Sequence, residues 1–189
     1  MTMQDEAAPP PPGRIAIRRV VLLGYMCSGK STVGAALARR LEWSYLDFDV
    51  EIEHREGRTV KEVVESGGQE RFRALEAALT EEAADAVGAV LAPGGGWITR
   101  PEMLEVLGPG TLSVWLRVSP PEVVRRLRDD DIDRPFRQDP DALPKVAEML
   151  AAREPLYRLA DLAVPVDART PEEIAFEIEQ VVRTRAASA

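Results

Sequence analysis

The sequence predicts an α/β fold, a five-stranded parallel sheet flanked by helices on both faces. Three observations carry this expectation. An apolar run, Val20-Val21-Leu22-Leu23, leads directly into Gly24-Tyr25-Met26-Cys27-Ser28-Gly29-Lys30-Ser31, the spacing of a phosphate-binding loop. Short apolar runs recur along the chain, separated by segments long enough for helices. Two of those segments open on capping-box patterns with proline at the first helical position, Ser119-Pro120-Pro121-Glu122 and Thr170-Pro171-Glu172-Glu173. Strands alternating with helices imply right-handed crossovers and so a largely parallel sheet covered on both sides.

Taken in order, Val20–Leu23 reads as a buried first strand, because a strand covered on both faces is a continuous apolar run. After the loop, Val33, Leu37 and Leu41 recur every four residues beside the small Gly34, Ala35, Ala36 and Ala38, a helix stripe able to lie on a sheet. A second strand is expected around Tyr45-Leu46. A helix follows that carries Phe72, Leu75 and Leu79 as core, with Arg73 off that face. Val90-Leu91 is a third strand, ending in Gly94-Gly95-Gly96. Leu112 to Val118 and Leu162 to Val166 supply the fourth and fifth, and Ile174, Ile178 and Val181 mark a last amphipathic helix.

Of the 189 residues, 45% are hydrophobic, enough for one α/β domain with a proper core, expected over 15–185. Residues 1–14, with Pro9 to Pro12, read as a disordered tail without the apolar stretch of a secretory signal. The single cysteine excludes an intramolecular disulfide, and no apolar run approaches the ~18 residues of a membrane span. A net charge of −8 argues against nucleic-acid or membrane partners. A cytoplasmic protein is therefore expected.

The loop carries the chemistry. Its glycines let backbone N–H groups converge on phosphate oxygens, and the helix that follows presents its positive dipole end. Cys27, Ser28 and Gly29 form the cradle, with Cys27 as a small filler and not a nucleophile. Lys30 reaches the β- and γ-phosphates, Ser31 ligates Mg²⁺ and Thr32 adds a phosphate contact. Asp47 and Asp49, two residues apart at a strand end, are expected to point the same way, which suits a Mg²⁺ ligand beside a group that accepts a hydroxyl proton, although an Asp-x-Asp on its own is more often a solvated turn. The third strand lacks an aspartate, which raises the weight of Asp47. The glycine triplet is a backbone that something approaches closely.

In order and spacing the phosphate loop, Leu46-Asp47-x-Asp49, Phe72-Arg73-x-x-Glu76, Gly94-Gly95-Gly96, Arg134-Pro135 and Arg153-x-Pro155-Leu156-Tyr157 resemble shikimate kinases over about Val20 to Ile178. The resemblance implies a P-loop kinase with a mobile lid, at about 128–138, that uses MgATP to phosphorylate the 3-hydroxyl of shikimate, a step toward chorismate and the aromatic amino acids. It implies Asp49 on the shikimate hydroxyls, Asp47 on the metal side, and Arg73 with Arg153 as the clamp on the shikimate carboxylate. Gly94, Gly95 and Gly96 line that site, with a backbone contact from Gly95. Arg134 is the lid arginine over the transferring phosphate. Arg126 matches the arginine that packs on adenine, and Arg169 is a weaker match at that end. Lys30, Asp49 and Arg134 form the catalytic set. ATP is the co-substrate, Mg²⁺ the cofactor, and a monomer is expected.

The sequence departs from the family pattern at Phe48 between the two acids, at Trp97, whose bulk is expected to narrow the acceptor pocket, and in the acidic stretch Asp129 to Asp133. His54 reads as a surface residue. Two other readings compete: a related kinase for gluconate or a nucleoside monophosphate, and a nucleotide-binding module without catalysis. Arg73, Arg153, Asp49 and the glycine triplet favour shikimate. Lys30, Ser31, Asp47, Asp49 and Arg134 favour catalysis.

Overall fold

The structure is a computed structural model that describes residues 16–129 and 136–187. The tail at 1–14 and Arg134-Pro135 of the lid motif lie outside the described residues. Five strands, β1 (Arg19–Leu23), β2 (Ser44–Asp47), β3 (Ala89–Ala92), β4 (Thr111–Arg117) and β5 (Leu162–Pro165), pair in parallel in the order β2-β3-β1-β4-β5. Every strand anticipated from an apolar run is present. Registers such as Val21 with Leu91 and with Ser113 fix β1 at the centre. Because all five run the same way, the loops after them gather at one edge.

Helices cover both faces. They are α1 (Lys30–Leu41), α2 (Phe48–Glu56), α3 (Val60–Ala83, interrupted at Gly68), α4 (Glu102–Leu107), α5 (Pro120–Asp129), α6 (Ala142–Tyr157) and α7 (Pro171–Ala187). The alternation along β1 divides the core in two. Val20 and Leu22 meet Val33 and Leu37 of α1, Val123 of α5, Val146 of α6 and Ile174 and Ile178 of α7. Val21 and Leu23 meet Phe48 and Ile52 of α2, Phe72 and Leu79 of α3, and Trp97, Met103 and Leu107. Burying one such Leu or Ile side chain stabilises by about 1.5–3 kcal/mol.

The two capping boxes expected from the sequence fare differently. At α7, Thr170 and Glu173 exchange backbone and side-chain hydrogen bonds, a complete capping box. At α5 only half the box forms. Glu122 N–H reaches Ser119 Oγ at 3.4 Å, but the Glu122 carboxylate turns to Arg125 and Arg126, and Ser119 N–H is taken by Asp167. Two arginine partners outcompete one backbone amide for a carboxylate.

The sheet order has a switch point. After β1 the chain crosses to β2 on one side; after β3 it crosses to β4 on the other. The crevice between adjacent β1 and β3 is where ligands bind in such sheets. The two loops that flank it are Gly24–Gly29 and Pro93–Gly96.

Candidate active site

A cleft of about 430 Å³ opens at this switch point, a size suited to a small ligand. Residues Met26 to Thr32 wall it together with Asp47, Asp49, Gly95, Arg126 and Arg169. The loop bends through Cys27 at φ 58° and Gly29 at φ 92°, and Gly29 caps α1, whose first turn lines the cleft. Cys27 is partly exposed. Lys30 Nζ donates to the carbonyls of Gly24 and Tyr25 at 2.8 and 3.2 Å, which folds it back over the loop. Ser28 is fully buried, and Thr32 Oγ1 donates to Gly29 O.

The two expected metal-side groups meet. Ser31 Oγ donates to Asp47 Oδ2 at 2.8 Å, and Tyr45 Oη donates to the same oxygen at 3.0 Å. Burial and the Asp47 charge push the Tyr45 phenol well above its ordinary range, so it stays a donor. The expected geometry of the acid pair needs correcting. β2 stops at Asp47, whose Oδ1 accepts the Asp49 N–H as the N-cap of α2, and Asp49 sits in the first helical turn. A cap and a first-turn residue, and not strand alternation, bring the acids together. Phe48 between them is fully buried in the core.

The glycine triplet organises the other half of the site. A Cβ at Gly94 would lie 2.9 Å from Glu76 Oε1 and 3.1 Å from Asp49 Oδ1. At Gly95 it would lie 3.2 Å from the Met26 amide nitrogen, because the phosphate loop backbone passes directly over it. At Gly96 it would collide with the Arg73 guanidinium. Each glycine therefore admits a different neighbour. Real Cβ atoms essentially never come as close as the nearest contacts at Gly94 and Gly96 and seldom as close as that at Gly95, so the triplet is explained by contact with the protein's own site groups.

Arg73 and Arg153 reach this tripeptide from different helices. Arg73, on α3, forms a short ion pair with Glu76 and lies against Gly96. Arg153, on α6, donates to Gly95 O at 3.3 Å with its guanidinium 5.5 Å from the centre of the Tyr25 ring. Tyr157, one turn further, donates to the same carbonyl at 3.1 Å and stacks on Trp115. Burial pushes Tyr157 up to about 12, which keeps it a donor. At the other end of the cleft Arg126 is oriented by Glu122 at 2.7 Å and donates to Cys27 O and Val166 O. Arg169 bonds Pro165 O and pairs with Glu177. Of the lid residues, Arg128 and Asp129 are exposed, Phe136 packs against the core and Arg134 lies outside the described residues. His54 is exposed, as expected.

Trp97 corrects another expectation. It is 2% exposed, turned into the core beneath the triplet, and its indole N–H donates to Thr80 Oγ1 at 2.9 Å. It does not line the cleft. Four further residues at this edge carry no site role in the sequence reading. Glu76 and Tyr157 stand within the resemblance motifs, one helical turn from the arginines they adjoin, a spacing that could have pointed to them. Glu122 had been spent on a cap. Tyr25 sits at a variable loop position and gives no sequence signal.

Phosphate loop, helix N-terminus and cationic rim at the switch point of a parallel sheet define a P-loop kinase. The family model for shikimate kinase matches residues 26–183. A shikimate kinase of Synechococcus sp. strain CC9902 is 36% identical over 171 residues, covering 90% of this chain and 89% of that protein. A shikimate kinase from Acinetobacter baumannii, solved in complex with shikimate, matches with a TM-score of 0.80 at 31% identity, over 89% of this chain and 94% of that one. The chain belongs to the shikimate kinase family. A gluconokinase from Sinorhizobium meliloti, at 20% identity and a TM-score of 0.62 over 92% of this chain and 96% of that one, shares the fold alone.

Proposed function

We propose that this enzyme transfers the γ-phosphoryl group of ATP to the 3-hydroxyl of shikimate, giving shikimate 3-phosphate and ADP, with the phosphate loop holding the donor and the residues around Gly94–Gly96 holding the acceptor. One observation carries the reading: three consecutive glycines abut Asp49, the phosphate loop and Arg73 in turn, so acceptor groups and donor loop share one stretch of backbone.

Phosphoryl transfer asks little covalent chemistry of a protein, so positioning and fixed positive charge supply most of the acceleration. The amides of Ser28 to Lys30 and the N-terminus of α1 face the donor phosphates, and Lys30 turns from its loop carbonyls to the β- and γ-oxygens. Thr32 adds a hydroxyl. Arg126 and Arg169 flank the base. Asp49 orients the acceptor hydroxyl and accepts its proton. Arg73 and Arg153 hold the carboxylate, because planar guanidinium forks match it better than ammonium groups do. Arg134 takes the lid role on the resemblance alone.

The pair Ser31 and Asp47 fits Mg²⁺. Their hard oxygens already meet at 2.8 Å beside the phosphate loop, and Mg²⁺ commonly takes only one or two protein oxygens, completing its octahedron with phosphates and water. When bound it would neutralise charge on the donor phosphates. The same reading makes the protein a cytoplasmic monomer acting on two small anions and not on nucleic acid or membrane, in keeping with its net charge of −8.

ADP formation measured with shikimate, gluconate and nucleoside monophosphates in turn should show turnover with shikimate. Asp49→Asn should lower kcat roughly 10²–10⁴-fold with ATP binding nearly unchanged. Asp47→Asn should instead raise the Mg²⁺ requirement. Preference for gluconate or a nucleotide, or identical Mg²⁺ dependence of the two variants, would overturn the assignment.

A further inference from the structure

Arg73 belongs to a closed circuit of contacts that begins and ends at the acceptor side of the site. Its guanidinium pairs with Glu76, whose carboxyl is 2% exposed. One turn further along α3, the fully buried Thr80 donates its hydroxyl proton to Glu76 O at 2.7 Å. The same hydroxyl accepts the indole N–H of Trp97 at 2.9 Å. Trp97 is bonded in sequence to Gly96, and Gly96 is the residue against which Arg73 lies. The circuit joins two elements with no sequence connection at this point, the second half of α3 and the loop after β3.

We propose that Trp97 and Thr80 are positioning residues for the acceptor site, fixing the distance between α3 and the glycine loop and thereby the placement of Arg73. The inference rests on the assignment of Arg73 to the acceptor carboxylate. A small residue at position 97 would pack loosely and leave the loop free to shift against the helix. A buried indole needs a partner for its N–H, and here that partner is the hydroxyl of Thr80. That directional bond sets register where apolar packing alone would tolerate sliding. An error of a fraction of an ångström at Gly96 is passed to Arg73, since the two are already in contact.

The experiment compares Trp97→Phe, Thr80→Val and Thr80→Ser with the parent enzyme, with Arg73→Lys measured alongside. Trp97→Phe keeps an aromatic ring without the donor; Thr80→Val keeps the shape without the hydroxyl. Thr80→Ser keeps the hydroxyl. The KM for shikimate should rise about three- to tenfold in the first two, with the KM for ATP within twofold of the parent. Thr80→Ser should behave as the parent. The Trp97→Phe, Thr80→Val double variant should be no worse than the poorer single, because both remove the bond between residues 97 and 80. A purely structural role would lower Tm and leave the KM for shikimate unchanged, which overturns the inference; so does a parallel rise of both KM values. If Arg73→Lys leaves the KM for shikimate unchanged, the carboxylate assignment fails and takes the inference with it. If Arg73→Lys raises it while Thr80→Val and Trp97→Phe do not, this inference alone fails. Should Trp97→Phe not fold, Thr80→Val decides.

Discussion

Burial in the shadow of Gly94 pushes the Glu76 carboxyl up to about 7 from an ordinary value of 4.5, with desolvation outweighing the Arg73 ion pair. Between about pH 4.5 and about 7 the folded protein therefore holds a proton here that the unfolded chain has released, and above that range Glu76 is the charged partner of Arg73. The stability this group contributes is present in full below about pH 4.5 and is lost as pH rises through about 7. Glu76→Gln, neutral throughout, should flatten that decline, read as a smaller difference in urea midpoint between pH 5 and pH 8 than in the parent. An unchanged difference would show that Glu76 is ionised across the range. At this scale the sequence was legible wherever a side chain's chemistry and spacing were enough. Lys30, Ser31, Asp47 and Asp49 all line the cleft, while Arg73 and Arg153 abut its glycine wall. Partners chosen by tertiary contact were not legible. Nothing in the letters says that Arg153 rests on the Tyr25 ring or that the Trp97 indole finds Thr80.

Elements are where local rules predicted most and where they also competed. All five strands could be read because buried parallel strands leave a plain apolar signature, and α7 because Thr170 and Glu173 complete their box. The same rules overreached at α5, where arginines claimed Glu122, and at Asp47-Phe48-Asp49, where β2 ends at Asp47 and Asp49 falls in the first turn of α2. Strand alternation and an N-cap both place acids at positions i and i+2 on one side, so spacing alone could not separate them. The cap of α7 lies at the edge of the cleft beside Arg169 and Pro171, and Thr170 is not among the residues that line it. Thr170→Ala should cost about 1 kcal/mol in stability by urea unfolding and leave the KM for shikimate unchanged. A shifted KM would mean that α7 helps to set the acceptor site.

For the molecule as a whole, ligand and fold share one equilibrium. A ligand that binds only the native state at a hundred times its Kd stabilises by about 2.7 kcal/mol, which for a chain of this length raises Tm by roughly 5–10 °C. Shikimate should do so for the parent enzyme and much less for Arg73→Lys or Arg153→Lys, read by thermal unfolding with and without the acceptor. Equal shifts in all three proteins would place the carboxylate elsewhere. Gly95 carries a last consequence. Its far side is pressed by the phosphate loop, while its carbonyl is held by Arg153 and Tyr157. On the proposed assignment, the wall between the two substrate compartments is one peptide unit thick. A single inhibitor joining a polyphosphate mimic to a cyclic carboxylate would need almost no linker to occupy both, and thickening that wall carries its own cost, since a Cβ at position 95 would press on the phosphate-loop backbone at 3.2 Å.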